Sequence, residues 1–396
     1  MTVELYMTAD EAAAALGVSV TTVYAYVSRG LIRSQRVAGS KSRNYWRDDV
    51  AKVARGGRDE PPLPALQRHL VESSSITLIT EQGHFYRGRP ALELARTESL
   101  ESIAALLWQA PEAEIFTDDL PRVPTQGPGA ELGDDLNPLQ RAIAMLFNVE
   151  QANPRAYDLT PAGYRRSGAD VLRCVAAACL GSLTPSAAPF HVFAVDTLGA
   201  PRRYLDVVRH FAVLAADHEL DPTTYTVRAA ANTGVTPYAA AIAGLVSSSG
   251  RRLTFGQSSS VARLLDEIET SPDPRAPVVR RIREGEPLPG FQSKNYPKGD
   301  PRAKALLDVL RDVAGDDADF QRFELAAAVV HEATGLFPDF VLPSQLLARK
   351  ISLRHNQSAL LRIARVVGWI AHAMEQFHER DLVRPHAAYD GELPAI

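Results

Sequence analysis

Hydrophobic and polar positions divide this chain into a stretch of small elements at the start and a long remainder with helical periodicity. Thr8 followed by Glu11 has the capping-box spacing, and residues 12–16 continue as a helix that Gly17 ends in a tight turn. Ser19 is placed to cap a second helix over residues 20–28, with Val23 and Val27 inward and Thr21, Thr22, Tyr24 and Tyr26 outward. Gly30 stops that helix. Residues 31–37 and 43–46 then read as two short strands around a flexible turn at 38–42, so that two helices joined by a glycine turn are followed by a wing. From Ile76, the segments ITLIT and HFYRG alternate as a hairpin about Glu81-Gln82-Gly83. Beyond it, residues 139–147, 169–180, 204–217, 238–247 and 360–377 carry apolar faces at helical spacing. The pattern predicts a mainly α protein in three parts: a winged helix-turn-helix domain at 1–55, a linker at 56–70 and a large helical domain at 71–396. The linker is rich in Gly, Pro and charge, and 111–136 reads as a polar loop.

Composition narrows the function little. With 45% hydrophobic and 23% charged residues the chain has the make-up of a globular protein. A net charge of −4 gives no global attraction to nucleic acid, so any such contact requires a local patch. Cys174 and Cys179 sit in an apolar run and read as two buried thiols, without the spacing of a metal site or a disulfide framework. No stretch has a signal peptide's form or the roughly 20 apolar residues of a membrane span, so a cytoplasmic protein with no membrane partner is expected.

A local patch exists. Arg29, Arg33, Arg36, Lys41, Arg43 and Arg47 are six basic residues in a stretch without an acidic one. Such a stripe suits phosphate contacts that hold a recognition helix over base edges. The segments ALGVSVTTVYAYVSRGLI and YWRDDV resemble DNA-binding domains of the excisionase and MerR type. That resemblance implies double-stranded DNA as a partner, met by Thr21, Thr22, Tyr24 and Tyr26 together with Arg29, Arg33, Arg36, Lys41 and Arg43.

The large domain carries four further segments, HFYRGRPALELA, LAADHELDPTTYTVRAAANTG, LPGFQSKNYPKGDPRAKALL and IARVVGWIAHAMEQ with LVRPHAAY. In this order they resemble the citrate synthase family, which condenses acetyl-CoA with oxaloacetate. The resemblance implies large and small helical subdomains, the smaller at roughly 256–360, and a homodimer. It also implies a carboxylate base and two catalytic histidines. At those positions the resemblance puts Thr254 for the histidine of the H-G-G-A turn, Ser293 for that of G-F-G-H, and Arg322, in Gln321-Arg322-Phe323, for the base. None of the three can do the original proton chemistry, because Thr and Ser are not readily titrated near neutral pH and Arg is effectively never a base. The carboxylate-gripping positions, by contrast, hold His218, Arg302, Arg365 and Arg384, the last reaching in from a partner subunit. Clustered guanidinium forks with no acidic neighbour need an anion; the alternative is an ordinary salt bridge at each arginine. Lys294 and Lys298 are weaker candidates for CoA phosphates, and residues 338–358 read as an insertion.

The leading expectation is a DNA-binding sensor or transcriptional regulator on a catalytically degenerate domain that binds citrate, oxaloacetate or a related carboxylate, with no required cofactor and no metal. The alternative is a citrate or 2-methylcitrate synthase-type acyltransferase with rearranged catalytic groups, using CoA. A scaffold for an active synthase is the third reading.

Overall fold

The computed structural model describes residues 6–36, 42–54, 73–124, 136–293, 295–353, 358–379 and 382–383. These fall into two compact units, one ending at Ser73 and the other spanning Ser74–Val383. The linker expected at 56–70 lies outside the described residues.

In the small unit, β1 (Tyr6–Met7) leads into helix α1 (Ala9–Leu16). Thr8 closes the capping box with Glu11, so the helix starts at once rather than at residue 12, and Gly17 ends it at φ 64°. Ser19 accepts from the Thr22 amide and starts helix α2 (Val20–Ser28). Strands β2 (Ser34–Arg36) and β3 (Arg43–Trp46) pair antiparallel, and β1 joins the other edge of β3. Helix α3 (Arg47–Ala54) follows directly. The core is small: Ala12, Leu16, Val23, Ile32, Tyr45 and Val50 are buried together. Tyr26, expected outside, packs partly against this core, whereas Tyr24 is 53% exposed.

The large unit opens with the hairpin of β4 (Thr77–Thr80) and β5 (Gly83–Tyr86), extended by β6 (Arg89–Pro90). Helices dominate the rest. Five of the described α-helices start with a capping residue followed by proline: Asn137-Pro138, Thr160-Pro161, Asp221-Pro222, Thr236-Pro237 and Asp300-Pro301. The side-chain oxygen takes an otherwise unpaired amide, and proline costs nothing at a position whose N–H has no helical partner. The Pro161–Leu180 and Ala359–Phe377 helices are almost wholly buried, and Cys174 and Cys179 are buried thiols as expected. No described helix is long and apolar enough to cross a membrane.

Two features of this core position the cleft. The buried Tyr86 hydroxyl donates to the carbonyl of Val213 at 2.8 Å, tying the hairpin to the end of the Leu205–Ala215 helix, just before Asp217 and His218. Gly368 lets the Ala359–Phe377 helix come against that same turn, where a Cβ would stand 2.2 Å from Asp217 Oδ1.

Candidate functional site

A cleft of about 550 Å³ in the large unit is lined by His218, Asp221, Ser293, Asp300, Arg302, Asp339 and Arg365, among others. Three of the four predicted carboxylate-gripping residues therefore come together from distant parts of the chain; Arg384 lies outside the described residues. His218 hydrogen-bonds the Tyr296 hydroxyl at 3.1 Å, and His84 of β5 faces its ring at 6.0 Å. Burial, reinforced by Arg302 and Arg365, holds His218 well below the ordinary imidazole range, so at neutral pH it is an uncharged hydrogen-bonding group.

The arginines have acidic neighbours, which corrects the expectation of an unpaired cationic cluster. Arg302 donates from Nε to Asp300 Oδ1 at 3.1 Å and from Nη2 to Asp300 Oδ2 at 2.7 Å. Its guanidinium lies over the rings of Tyr296 and Phe340 at 5.4 and 4.8 Å. Arg365 donates from Nη2 to Asp221, while its Nη1 stands 3.8 Å from Asp217 and makes no hydrogen bond. Behind the cleft, Asp217 contacts His372 at 3.3 Å, and His372 lies 3.4 Å from Arg228. Arg228 pairs with Glu375 at 2.7 Å, which accepts the Ser75 amide at 2.8 Å. Burial pushes the Asp217 carboxyl up, but His372 and Arg365 outweigh it and bring it to about 2.

Arg322 does not reach the cleft. Its guanidinium donates to the carbonyls of Ile268 and Ser271 near the end of the Thr254–Thr270 helix. The carboxylate followed by phenylalanine that does line the cleft is Asp339, in Pro338-Asp339-Phe340. The Asp339 amide donates to Gly290 O at 2.7 Å, and its Oδ1 accepts from Val341 N at 2.9 Å. Burial, with Asp300 nearby, pushes the Asp339 carboxyl up to about 6, against the pull of the Val341 and Leu342 amides and Arg302. The described part of 338–358 is not surface decoration: Asp339, Phe340 and Val341 line the cleft, the buried Val341–Lys350 helix belongs to the core, and Arg349 pairs with Glu269 at 2.7 Å. Glu324 turns to Arg311 at 2.8 Å.

Ser293 lines the cleft, where its hydroxyl can donate only a neutral hydrogen bond. Thr254 is the first residue of its helix, but its side chain lies outside what the structure describes. Lys298 is exposed and pairs with Glu81 at 3.1 Å, and Lys294 is outside the described residues. A second cavity of about 650 Å³ shares Gln257, Gln292 and Asp339 with the cleft and carries Arg251, Arg263 and Arg281. Among the described residues no group of three or more His, Cys, Asp or Glu could hold a metal ion. Sequence reading passed over His84, Asp221, Tyr296 and Asp339; only Asp339, through its Asp-Phe pair, carried a signal that could have found it.

In the small unit, Thr21, Tyr24, Arg29, Arg36 and Arg43 are exposed and Thr22 is half-buried. Arg33 is different: it donates from its backbone and from Nε and Nη2 to Asp49, at 2.8–2.9 Å, and lies over the Trp46 ring at 5.5 Å. Lys41 lies outside the described residues.

Comparison with known proteins agrees with both units. The profile of the citrate synthase C-terminal domain family matches residues 65–386, and that of a helix-turn-helix domain matches residues 6–55. "Putative citrate synthase 2" of Mycobacterium tuberculosis (strain H37Rv) is 32% identical over 205 residues, 48% of this chain and 53% of that protein. Citrate synthase of Haloferax volcanii is 32% identical over 189 residues, 46% of this chain and 48% of its own length. The chain thus spans about half the length of the curated relatives it matches. The crystal structure of citrate synthase from Thermotoga maritima superposes with a TM-score of 0.68 at 22% identity, covering 82% of this chain and 94% of that one. The citrate synthase of Thermoplasma acidophilum, in ternary complex with carboxymethyl coenzyme A and oxaloacetate, gives a TM-score of 0.66 at 20% identity, covering 82% and 95%. At these identities the structural likeness speaks for the fold alone.

Proposed function

This chain belongs to the citrate synthase family, and from that premise we propose that it is a DNA-binding sensor whose cleft holds a small carboxylate such as citrate or oxaloacetate. The observation that carries the reading is the convergence of His218, Arg302 and Arg365 on one cleft in a chain with a helix-turn-helix domain; Ser293, which the resemblance sets at a catalytic histidine's position, lines the same cleft. Guanidinium forks bind carboxylates bidentately, while a serine hydroxyl cannot supply the charge that activates a ketone. The polar chain from Arg365 through Asp217, His372, Arg228 and Glu375 ends on Ser75, at the start of the large unit in chain order. It offers a physical route by which occupancy of the cleft reaches the segment joined to the DNA-binding unit. A ligand controls DNA affinity only if it binds two states differently, so the test is DNA binding by fluorescence anisotropy with and without citrate. Unchanged DNA affinity at saturating citrate would defeat the sensor reading.

Cytoplasmic placement and a homodimer complete this reading. An apolar groove of about 440 Å³ formed by Leu136, Ile143, Ala144, Phe147 and Ile242, with Phe147 55% exposed, suits a second copy. A dimer reads a pseudo-palindromic site with its two recognition helices, and sedimentation at micromolar concentration tests for it.

The second reading, an acyltransferase that condenses an acyl-CoA with oxaloacetate, is favoured by Asp339. A buried carboxyl raised to about 6 is suited to taking a proton next to a thioester carbonyl near neutral pH. Ser293 and the neutral His218 would then have to stabilise the enolate and the ketone by neutral hydrogen bonds alone. Thiol release from acetyl-CoA in the presence of oxaloacetate decides between the readings: turnover abolished by Asp339→Asn supports the enzyme, and no release above background supports the sensor.

A further inference from the structure

The cleft contains an internal carboxylate placed where a ligand carboxylate would go. Of the three aspartates that meet its arginines, two are locked. Asp300 is 1% exposed, holds Arg302 with both oxygens and takes the Arg302 amide at 3.0 Å. Asp217 is fully buried, and its Oδ2 takes the Glu219 amide at 3.0 Å and faces His372. Asp221 differs: its side chain is 28% exposed and lines the cleft.

Its two oxygens have separate tasks. Oδ1 accepts the Thr223 and Thr224 amides at 2.8 and 2.9 Å and so caps the Pro222–Ala231 helix. Oδ2 faces Arg365. The opposite nitrogen of that guanidinium, Nη1, is buried and turned to Asp217 Oδ1 at 3.8 Å, so a ligand entering the cleft meets Arg365 on the side that Asp221 occupies. We propose that Asp221 is an internal competitor: a ligand carboxylate binds Arg365 by displacing Asp221 Oδ2, and the Arg365–Asp221 contact sets the threshold concentration at which the cleft fills. The inference rests on the carboxylate reading of the cleft and adds the residue that regulates it. An exchange of one carboxylate for another leaves the buried arginine paired throughout, which avoids the cost of an uncompensated charge.

The division of labour between the two oxygens makes the test clean. Asp221→Asn keeps a carbonyl oxygen for the cap and removes the competing charge, and Asp221→Ser is a second uncharged capping residue. Citrate is titrated calorimetrically into the full-length wild type, both variants, Arg365→Ala and the Asp221→Asn/Arg365→Ala double variant. The expected result is roughly tenfold to a hundredfold tighter citrate binding in both Asp221 variants, the size of a charge-assisted hydrogen bond. That gain should vanish in the double variant. Equal affinity in wild type and Asp221 variants, with binding lost in Arg365→Ala, overturns the competitor and leaves the carboxylate site standing. Weaker binding in the Asp221 variants overturns it too, because Asp221 would then assist the ligand. Absence of citrate binding in all five proteins overturns the cleft reading and the competitor together.

Discussion

The arginines of the cleft and those of the helix-turn-helix unit stand under opposite conditions. Arg302 and Arg365 are enclosed, and each already meets an aspartate. Arg29, Arg36 and Arg43 stand exposed on the small unit. A buried guanidinium without a counterion would cost several kcal/mol, so the protein supplies one internally. An exposed guanidinium is solvated by water and waits at almost no cost. On the proposed reading, ligand binding in the cleft would therefore be an exchange of carboxylates, governed by local geometry. DNA binding by the small unit would instead be governed by counterion release and would weaken steeply with salt. Arg33 stands between the two: it is paired with Asp49 and lies over Trp46, as the cleft arginines are paired, but its side chain is 58% exposed.

The comparison breaks most visibly where the internal counterions are held. Gly368→Ala would put a Cβ 2.2 Å from Asp217 Oδ1 and 2.6 Å from Ala216 O. We expect a loss of about 3 kcal/mol or more, read as a lower midpoint of denaturant unfolding, together with loss of citrate binding. A stable variant with intact binding would show that Asp217 need not sit where it does.

Asp339 tests whether the cleft holds its carboxylates under strain. Its folded value, about 6 against 3.8 for the free side chain, lies above the unfolded one. The stability it contributes is therefore fully present below pH about 4 and lost as pH rises through about 6, by about 3 kcal/mol. Asp217, brought down to about 2, acts in the opposite sense, its contribution being lost only as pH falls below about 4. Asp339→Asn should flatten the fall between pH 4 and 6 in urea titrations while leaving the acid limb intact.

For the small unit, Arg43→Ala should lower the slope of log K against log salt by about one without changing stability. Arg33→Ala should leave that slope nearly unchanged and cost about 1 kcal/mol of stability, its side chain being 58% exposed. Equal effects of the two on DNA binding would erase the distinction drawn between them. Ser19→Ala, which removes the cap of α2, should cost about 1 kcal/mol in thermal unfolding.

Much of the architecture could be read from local pattern. Thr8 with Glu11 started a helix, Ser19 capped the next, and the alternation about Glu81-Gln82-Gly83 formed a hairpin, because caps and strand periodicity act within a few residues. His218, Arg302 and Arg365, predicted from motifs to grip a carboxylate, do line one cleft. Arg322, read at the position of the family's base, lies away from the cleft, and Asp339 lines it, for a physical reason. Gln321-Arg322-Phe323 and Pro338-Asp339-Phe340 both put a polar residue before a phenylalanine, and Phe323 and Phe340 are both buried. The carboxylate before Phe340 was the one difference legible in the sequence, and packing separates the two segments: Phe340 stacks on Phe211 at 5.6 Å and lies under Arg302, whereas Arg322 reaches backbone carbonyls near a helix end.

By itself, then, the sequence determined the helices, their caps, the two-part organisation and the residue types able to grip a carboxylate, since each depends on near neighbours or on a contiguous motif. Tertiary structure decided which charges meet. Asp221 and Arg365 lie 144 positions apart in the chain, and the Glu375 carboxylate accepts an amide 300 positions away. No local pattern encodes such pairs, because they arise where helices pack, and burial there makes a counterion obligatory rather than optional.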